Sequence, residues 1–263
     1  MTRCEPVRVG AVAYLNARPL VHGLEDSPRF AVRYDVPSEC ARLLHDGAID
    51  IGLIPSIEYL RNGPYCIVPD VAIASEGPVA SVTLYSTRPI EEVRSIAMDT
   101  SSRSSVALLR VLCARVFKIA PAIEARGPDL NDMLSRCDAA LIIGDTSLFL
   151  DAAGMTTVDL GEAWTRMTGL PFVYAFWAGR CGALTPSDIA ALQRARDLGM
   201  VRPEELAQQY LAGHPGRLAI GARYLRDNIK YHLGDRERAG LEAFYRYAAE
   251  AGVVTAASEL RFF

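Results

Sequence analysis

No run of about 18 apolar residues occurs in the 263-residue chain, so no segment reads as a helix able to cross a bilayer. A basic excess is missing as well. The 28 Lys and Arg face 31 Asp and Glu, a formal charge of −3, which speaks against a nucleic-acid binder. Cysteine pairs at C-x-x-C spacing are absent. Cys4, Cys40, Cys66, Cys113, Cys137 and Cys181 are scattered, and we read them as reduced, mostly buried thiols rather than a disulfide frame or zinc site. The four histidines, His22, His45, His214 and His232, stand alone without an H-E-x-x-H spacing, so they read as surface or structural groups, and no metal is expected. A phosphate-binding P-loop, a G-x-G-x-x-G dinucleotide fingerprint and a G-x-S-x-G nucleophile elbow are all lacking. Residues 1–6 lead straight into the strand-like stretch 7–12 with no apolar leader or small-residue cleavage site. A secretory signal is therefore not expected, and the chain reads as a soluble cytoplasmic protein.

What is present is a globular composition, 50% hydrophobic and 22% charged, in a length that suits one large domain or two modest ones. Short apolar runs alternate with helical patterns, the mark of an α/β fold. Strands are expected at 7–13, 30–36, 49–54, 80–86, 95–98, 122–125, 139–143 and 171–178. Between them, Pro19 suits a first helical turn, Ser38 and Ser56 read as N-caps, Asp129 caps a short helix, and longer helices are expected near 106–117 and 146–153. From Thr185 onward the pattern is helical, near 189–198, 203–212, 223–232 and 235–251, with a capping-box-like start at Thr185-Pro186-Ser187-Asp188. With 80–86 and 171–178 taken as crossing strands, the chain divides into one lobe of residues 1–84 plus 177–263 and another of 88–172. In open α/β sheets ligands sit beyond the C-terminal strand ends. Here those ends carry Asn16, Ser56, a serine-rich loop and Asp145, and the arrangement resembles the two-lobe, periplasmic-binding-protein-like (type II) fold with a central cleft.

The strongest local signal is Thr100–Ser105, in which Ser101, Ser102, Ser104, Ser105 and the guanidinium of Arg103 precede a helix. A helix start offers unpaired N–H groups and a partial positive charge of about 0.5, so it holds a carboxylate or phosphate well, and Arg103 adds a bidentate donor. A solvated serine-rich cap reads equally from the same residues. Asn16 lies in a polar turn at a strand end, where it either contacts a ligand or holds its own turn. Ser81 faces either cleft or core. Gly144-Asp145 ends a strand, and Asp145 serves either as a helix cap or as the partner of a ligand hydroxyl. Trp164 and Trp177, and the tail tyrosines Tyr210, Tyr224, Tyr231, Tyr245 and Tyr247, read as packing residues.

Several segments resemble the chorismate dehydratases of the futalosine route to menaquinone. They are Val9-Gly10 with Tyr14-Leu15-Asn16 and Arg18-Pro19-Leu20; the stretch from Gly47 to Ser56; Gly77-Pro78-Val79 with Ser81; Thr100–Ser105; Asp138 to Asp145; and Trp164 with Thr168-Gly169-Leu170-Pro171-Phe172-Val173. Ser104-Ser105 stands where the family more often has Thr-Ser, which keeps the hydroxyl. The neighbouring pathway enzyme, a dihydroxynaphthoate synthase, carries a Pro-Asn-Asp-rich N-terminal turn that is not found here. The resemblance implies a lyase that converts chorismate to 3-[(1-carboxyvinyl)oxy]benzoate and water, without metal or organic cofactor. The candidate loops offer no His or Lys as a base for that reaction, so we expect the substrate's own enolpyruvyl carboxylate to take the proton. Asn16 and Ser81 are expected to act in catalysis by positioning it and the leaving hydroxyl, and Ser56, Ser101, Ser102, Arg103, Ser104, Ser105, Gly144 and Asp145 to bind the substrate. The competing class is a non-catalytic solute receptor or effector sensor for a small carboxylate. Neither an export signal nor a DNA-binding segment supports it.

Overall fold

The computed structural model describes residues 5–61, 63–99, 101–256 and 258–263. Two five-stranded sheets organise it. The strands are β1 (Val7–Val12), β2 (Phe30–Asp35), β3 (Ile51–Pro55), β4 (Tyr65–Ser75), β5 (Val82–Ser86), β6 (Ser95–Asp99), β7 (Ala122–Arg126), β8 (Ala139–Ile143), β9 (Thr156–Asp159) and β10 (Phe172–Arg180). The helices are α1 (Arg18–Val21), α2 (Pro37–His45), α3 (Arg103–Leu112), α4 (Leu130–Arg136), α5 (Gly144–Leu148), α6 (Leu160–Thr168), α7 (Pro186–Met200), α8 (Pro203–Tyr210), α9 (Leu218–Arg223) and α10 (Asp235–Glu250). The first sheet runs β2-β1-β3-β10-β4 and the second β7-β6-β8-β5-β9. In each, three parallel strands continue into an antiparallel pair. β3 and β8 are buried along their whole length, which is why they read as unbroken apolar runs.

Three sequence expectations change. The segments read as crossing strands are full members of one sheet each: β5 pairs with β8 and β9, and β10 with β3 and β4. The chain therefore passes between sheets at 76–81 and 169–171, and residues 82–86 fall with the second sheet, 172–176 with the first. Ser38 and Ser56 are not N-caps; Val36 and Pro55 occupy those positions, because Pro37 already fills the first turn of α2 and Ser56 begins a one-turn helix over Ser56–Leu60. The helix expected at 223–232 starts earlier, as α9, and ends in a wide turn over Tyr224–Asn228. After it, Ile229, Tyr231 and Leu233 are buried while Lys230 and His232 are exposed, and Lys230 bridges to Ala74.

The cysteine reading is corrected too. Antiparallel pairing sets Cys66 of β4 opposite Gly179 of β10, and this brings Cys66 beside Cys181, with which it forms a disulfide across 115 residues of chain. Cys40, Cys113 and Cys137 are free and buried; Cys4 lies outside the described residues. Removing so long a closed loop is expected to cost about 2–4 kcal/mol. Urea denaturation of Cys181→Ser against the parent, without reductant, measures it. Among the described residues no helix is long and apolar enough to cross a membrane.

Candidate functional site

The C-terminal ends of β1, β3 and β8 and the start of α3 face one cavity between the sheets, about 490 Å³ with its mouth included. Its walls are largely apolar, from Val12, Pro55, Ile73, Val82 and Ile143, and its polar lining is Tyr14, Asn16, Ser81, Ser102, Ser105 and Tyr174. Among the described residues no Asp, Glu, His, Lys or Arg lines it.

Asn16 sits in the single turn Leu15–Ala17 directly after β1. Its Nδ2 donates to the Tyr224 hydroxyl at 3.1 Å, and that hydroxyl lies 2.7 Å from Ser81 Oγ. Asn16 Oδ1 is buried and has no hydrogen-bond partner among the described residues. Opposite, Ser102 is the N-cap of α3 and makes no side-chain capping bond; its Oγ is 2.9 Å from Ser105 Oγ. The helix starts at Arg103, not near 106, so the N–H groups of its first turn lie beside these hydroxyls without intrahelical acceptors. Gly144, at φ +64°, closes a third side: a Cβ there would lie 3.0 Å from the Tyr14 ring. Its N–H donates to Ser81 O at 2.8 Å, which fixes the Ser81 backbone.

The remaining candidates hold the walls together. Ser104 Oγ accepts from Ile57 N–H at 3.1 Å and lies 3.1 Å from Ser56 Oγ, which donates to Val173 O at 2.7 Å. Both serines are fully buried and fasten α3 to the turn after β3. Arg103 does not reach the cavity, because its guanidinium is drawn 2.8 Å from the buried carboxylate of Glu58. Ser101 Oγ is 3.4 Å from the Tyr14 hydroxyl, and Ser101 O accepts from Ser38 N–H; Thr100 lies outside the described residues. Asp145 neither caps a helix nor enters the cavity. It accepts from Leu15 N–H at 3.2 Å and lies 2.5 Å from the Tyr210 hydroxyl, so it joins the two lobes. The capping residue of α5 is Ile143.

Burial raises the Asp145 carboxyl above the ordinary range, while the bonds from Tyr210 and Leu15 pull it down. The folded protein therefore holds this proton more tightly than the unfolded chain. Its contribution to stability declines as pH rises from the ordinary carboxylate value through the raised one. Asp145→Asn, which keeps an oxygen for Leu15 and Tyr210, is expected to remove that decline. In urea melts from about pH 4 to about pH 7, the variant should gain on the parent and then level off.

The tyrosines of the site escaped the sequence reading. Tyr14 stands two residues before Asn16, and that proximity was a usable signal. Tyr174 comes in through β10. Tyr224 gave no local sign, because it reaches Asn16 and Ser81 through tertiary packing alone.

A family model described as "Menaquinone biosynthesis" matches residues 7–250. A chorismate dehydratase of Thermus thermophilus is 34% identical over 261 residues, covering 91% of this chain and 94% of that protein. A chorismate dehydratase of Campylobacter jejuni is 26% identical, covering 89% of each. Among solved structures, a protein of Archaeoglobus fulgidus superposes with a TM-score of 0.77 at 15% identity, covering 96% of this chain and all of that one. The periplasmic aliphatic sulphonate binding protein of Escherichia coli does so with 0.64 at 16%, covering 97% and 95%. These last two likenesses concern the fold, a two-lobe periplasmic-binding-protein-like one.

Proposed function

The chain belongs to the menaquinone-biosynthesis family, and we infer from this that it is a carbon–oxygen lyase that dehydrates chorismate to 3-[(1-carboxyvinyl)oxy]benzoate. The observation that carries the reading at the level of the site is the meeting of Asn16, Ser81 and the start of α3 on one cavity. Chorismate has two carboxylates. The N–H groups of the first turn of α3, with Ser102 and Ser105, suit the ring carboxylate at C1. Because Arg103 is taken up by Glu58, neutral donors do this work; aimed at developing charge in a dry site, each such donor is worth about 3–4 kcal/mol.

The C3 proton is acidified through the ring diene by the C1 carboxylate. Its removal places charge on that group, loss of the C4 hydroxyl follows, and the ring becomes aromatic. The cavity lining offers no carboxylate, imidazole or amine as base. We assign that role to the substrate's own enolpyruvyl carboxylate, which takes the C3 proton and passes it to the departing hydroxide, so that water leaves. Asn16 and Ser81 hold the C4 hydroxyl in line with that carboxylate, and good positioning alone lowers a barrier by about 7 kcal/mol. The futalosine route as its pathway and the cytoplasm as its location are further parts of this proposal. The Cys66–Cys181 bond is unusual for a reducing compartment, and thiol labelling in rapidly quenched cells tests the location.

The activity test mixes purified protein with chorismate and follows the ultraviolet spectrum. Growth of a benzoate absorbance is the expected result. Binding of chorismate without aromatisation would instead make the protein a receptor.

A further inference from the structure

We infer that Tyr224 is a positioning residue that makes Ser81 a hydrogen-bond donor to the substrate and keeps the Asn16 carbonyl oxygen free as an acceptor; this rests on the lyase reading above. Tyr224 is 1% exposed, and its hydroxyl has two partners among the described residues, Asn16 Nδ2 at 3.1 Å and Ser81 Oγ at 2.7 Å. A phenol carries one proton and also accepts. The Asn16 amide N–H points at the oxygen. If Ser81 did the same, the phenol proton would be buried with nothing to receive it, an arrangement that folded proteins avoid. The phenol therefore donates to Ser81 Oγ, and the Ser81 proton is left for the cavity.

The same bond fixes the Asn16 side chain. With Nδ2 held by Tyr224, Oδ1 is the atom left over, and it is buried without a partner among the described residues. The cavity thus receives one donor and one acceptor side by side. That pair matches a hydroxyl, which takes a hydrogen bond through its oxygen and gives one through its proton, as the C4 hydroxyl of chorismate does. Rotating the amide would reverse the whole chain: Asn16 would accept from Tyr224, and Ser81 would spend its proton on the phenol. Burial pushes the Tyr224 phenol above its ordinary value, so it stays protonated and able to donate at neutral pH.

Tyr224→Phe keeps the ring and removes only the hydroxyl. We expect kcat for chorismate to fall about 10- to 100-fold with KM within about twofold. In a Ser81→Ala background the same change should cost less than it does in the parent, because one of its two targets is gone, and in an Asn16→Ala, Ser81→Ala background it should cost less than about twofold. A Tyr224→Phe protein with the parent's kcat overturns the inference, and so does a loss that is fully additive with Ser81→Ala. Absence of aromatisation by the parent removes the lyase reading and this inference together, whereas a working parent with an unaffected Tyr224→Phe removes the inference alone. A second probe places 3-fluorotyrosine at 224, preserving both bonds with a more acidic phenol. The carboxylates of Asp145 and Asp159 act on it electrostatically and ionise before the phenol does, and the buried phenols of Tyr174 and Tyr231, which feel its charge, are themselves pushed well above their ordinary value. The fluorinated protein should lose kcat at a lower alkaline pH than the parent, and coincident profiles overturn the assignment.

Discussion

Asn16→Ala and Ser81→Ala are each expected to lower the turnover of chorismate by about 100-fold or more while changing its binding little, as follows from removing a group preorganised around the reacting atoms. Steady-state kinetics followed at the absorbance of the aromatic product measure both. The large effect on kcat follows from where the groups sit: both are held in place by Tyr224 and border the same cavity, so their geometry is set before substrate arrives. The proposed scheme also states what would overthrow it. If both variants keep the full rate while Asp145→Asn is inactive, Asp145 is the base and the substrate's carboxylate is not. The structure argues against that outcome, since the Asp145 oxygens are engaged by Leu15 N–H and the Tyr210 hydroxyl outside the cavity lining.

For stability the largest expected loss is at Trp164. Its indole is fully buried against Phe172, Phe244 and Tyr247, with ring centroids 5.3, 6.0 and 6.0 Å away, and its Nε1 donates to Pro171 O at 3.1 Å. One side chain thus joins α6, β10, the tail helix α10 and the passage at 169–171. That place is tight: a Cβ on Gly240 of α10 would run into Pro171 O, so the surroundings do not readily collapse into a void. Trp164→Ala should cost about 3–5 kcal/mol, which for a chain of this size lowers the melting temperature by about 10 °C. Calorimetry checks it, and a fall of only a degree or two would mean that α10 relaxes into the space.

The sequence was legible where one local rule governed a segment. β1, β3, β6 and β8 announce themselves as apolar runs because parallel strands are covered on both faces. Asp129 and Thr185 cap as their spacing implies, with Asp132 and Asp188 three residues on. β4 was not legible: Pro69 and Asp70 interrupt its pattern, and Asp70 has a positive φ where the strand bends. Missing β4 also hid the disulfide, since only its register against β10 brings Cys66 to Cys181. β9, four residues long and half exposed, carries no periodic signal.

The site divides the same way. Asn16, Ser81, Ser102, Ser105 and Gly144 reach the cavity from strand ends and a helix start, positions that a pattern of elements locates. Ser56, Ser101, Ser104, Arg103 and Asp145 have the chemistry of ligand groups, but each finds a partner within the protein: Val173 O, the Tyr14 hydroxyl, Ile57 N–H, Glu58 and Leu15 N–H. Nothing in composition or spacing distinguishes a serine that binds a substrate from one that fastens a helix. The difference lies in what the fold places opposite.

Several of these fastenings run from one half of the molecule to the other, as in Ser38 with Ser101, Ile57 with Ser104, and Leu15 with Asp145. A ring-sized dianion does not slip past walls that are bonded to one another. Turnover is expected to break and remake part of this seam, so that a mechanical stroke accompanies the chemical one. Once deprotonation is fast, friction from the surrounding liquid becomes the brake, and thickening the medium with sucrose would slow the best-tuned form of the enzyme more than its crippled variants.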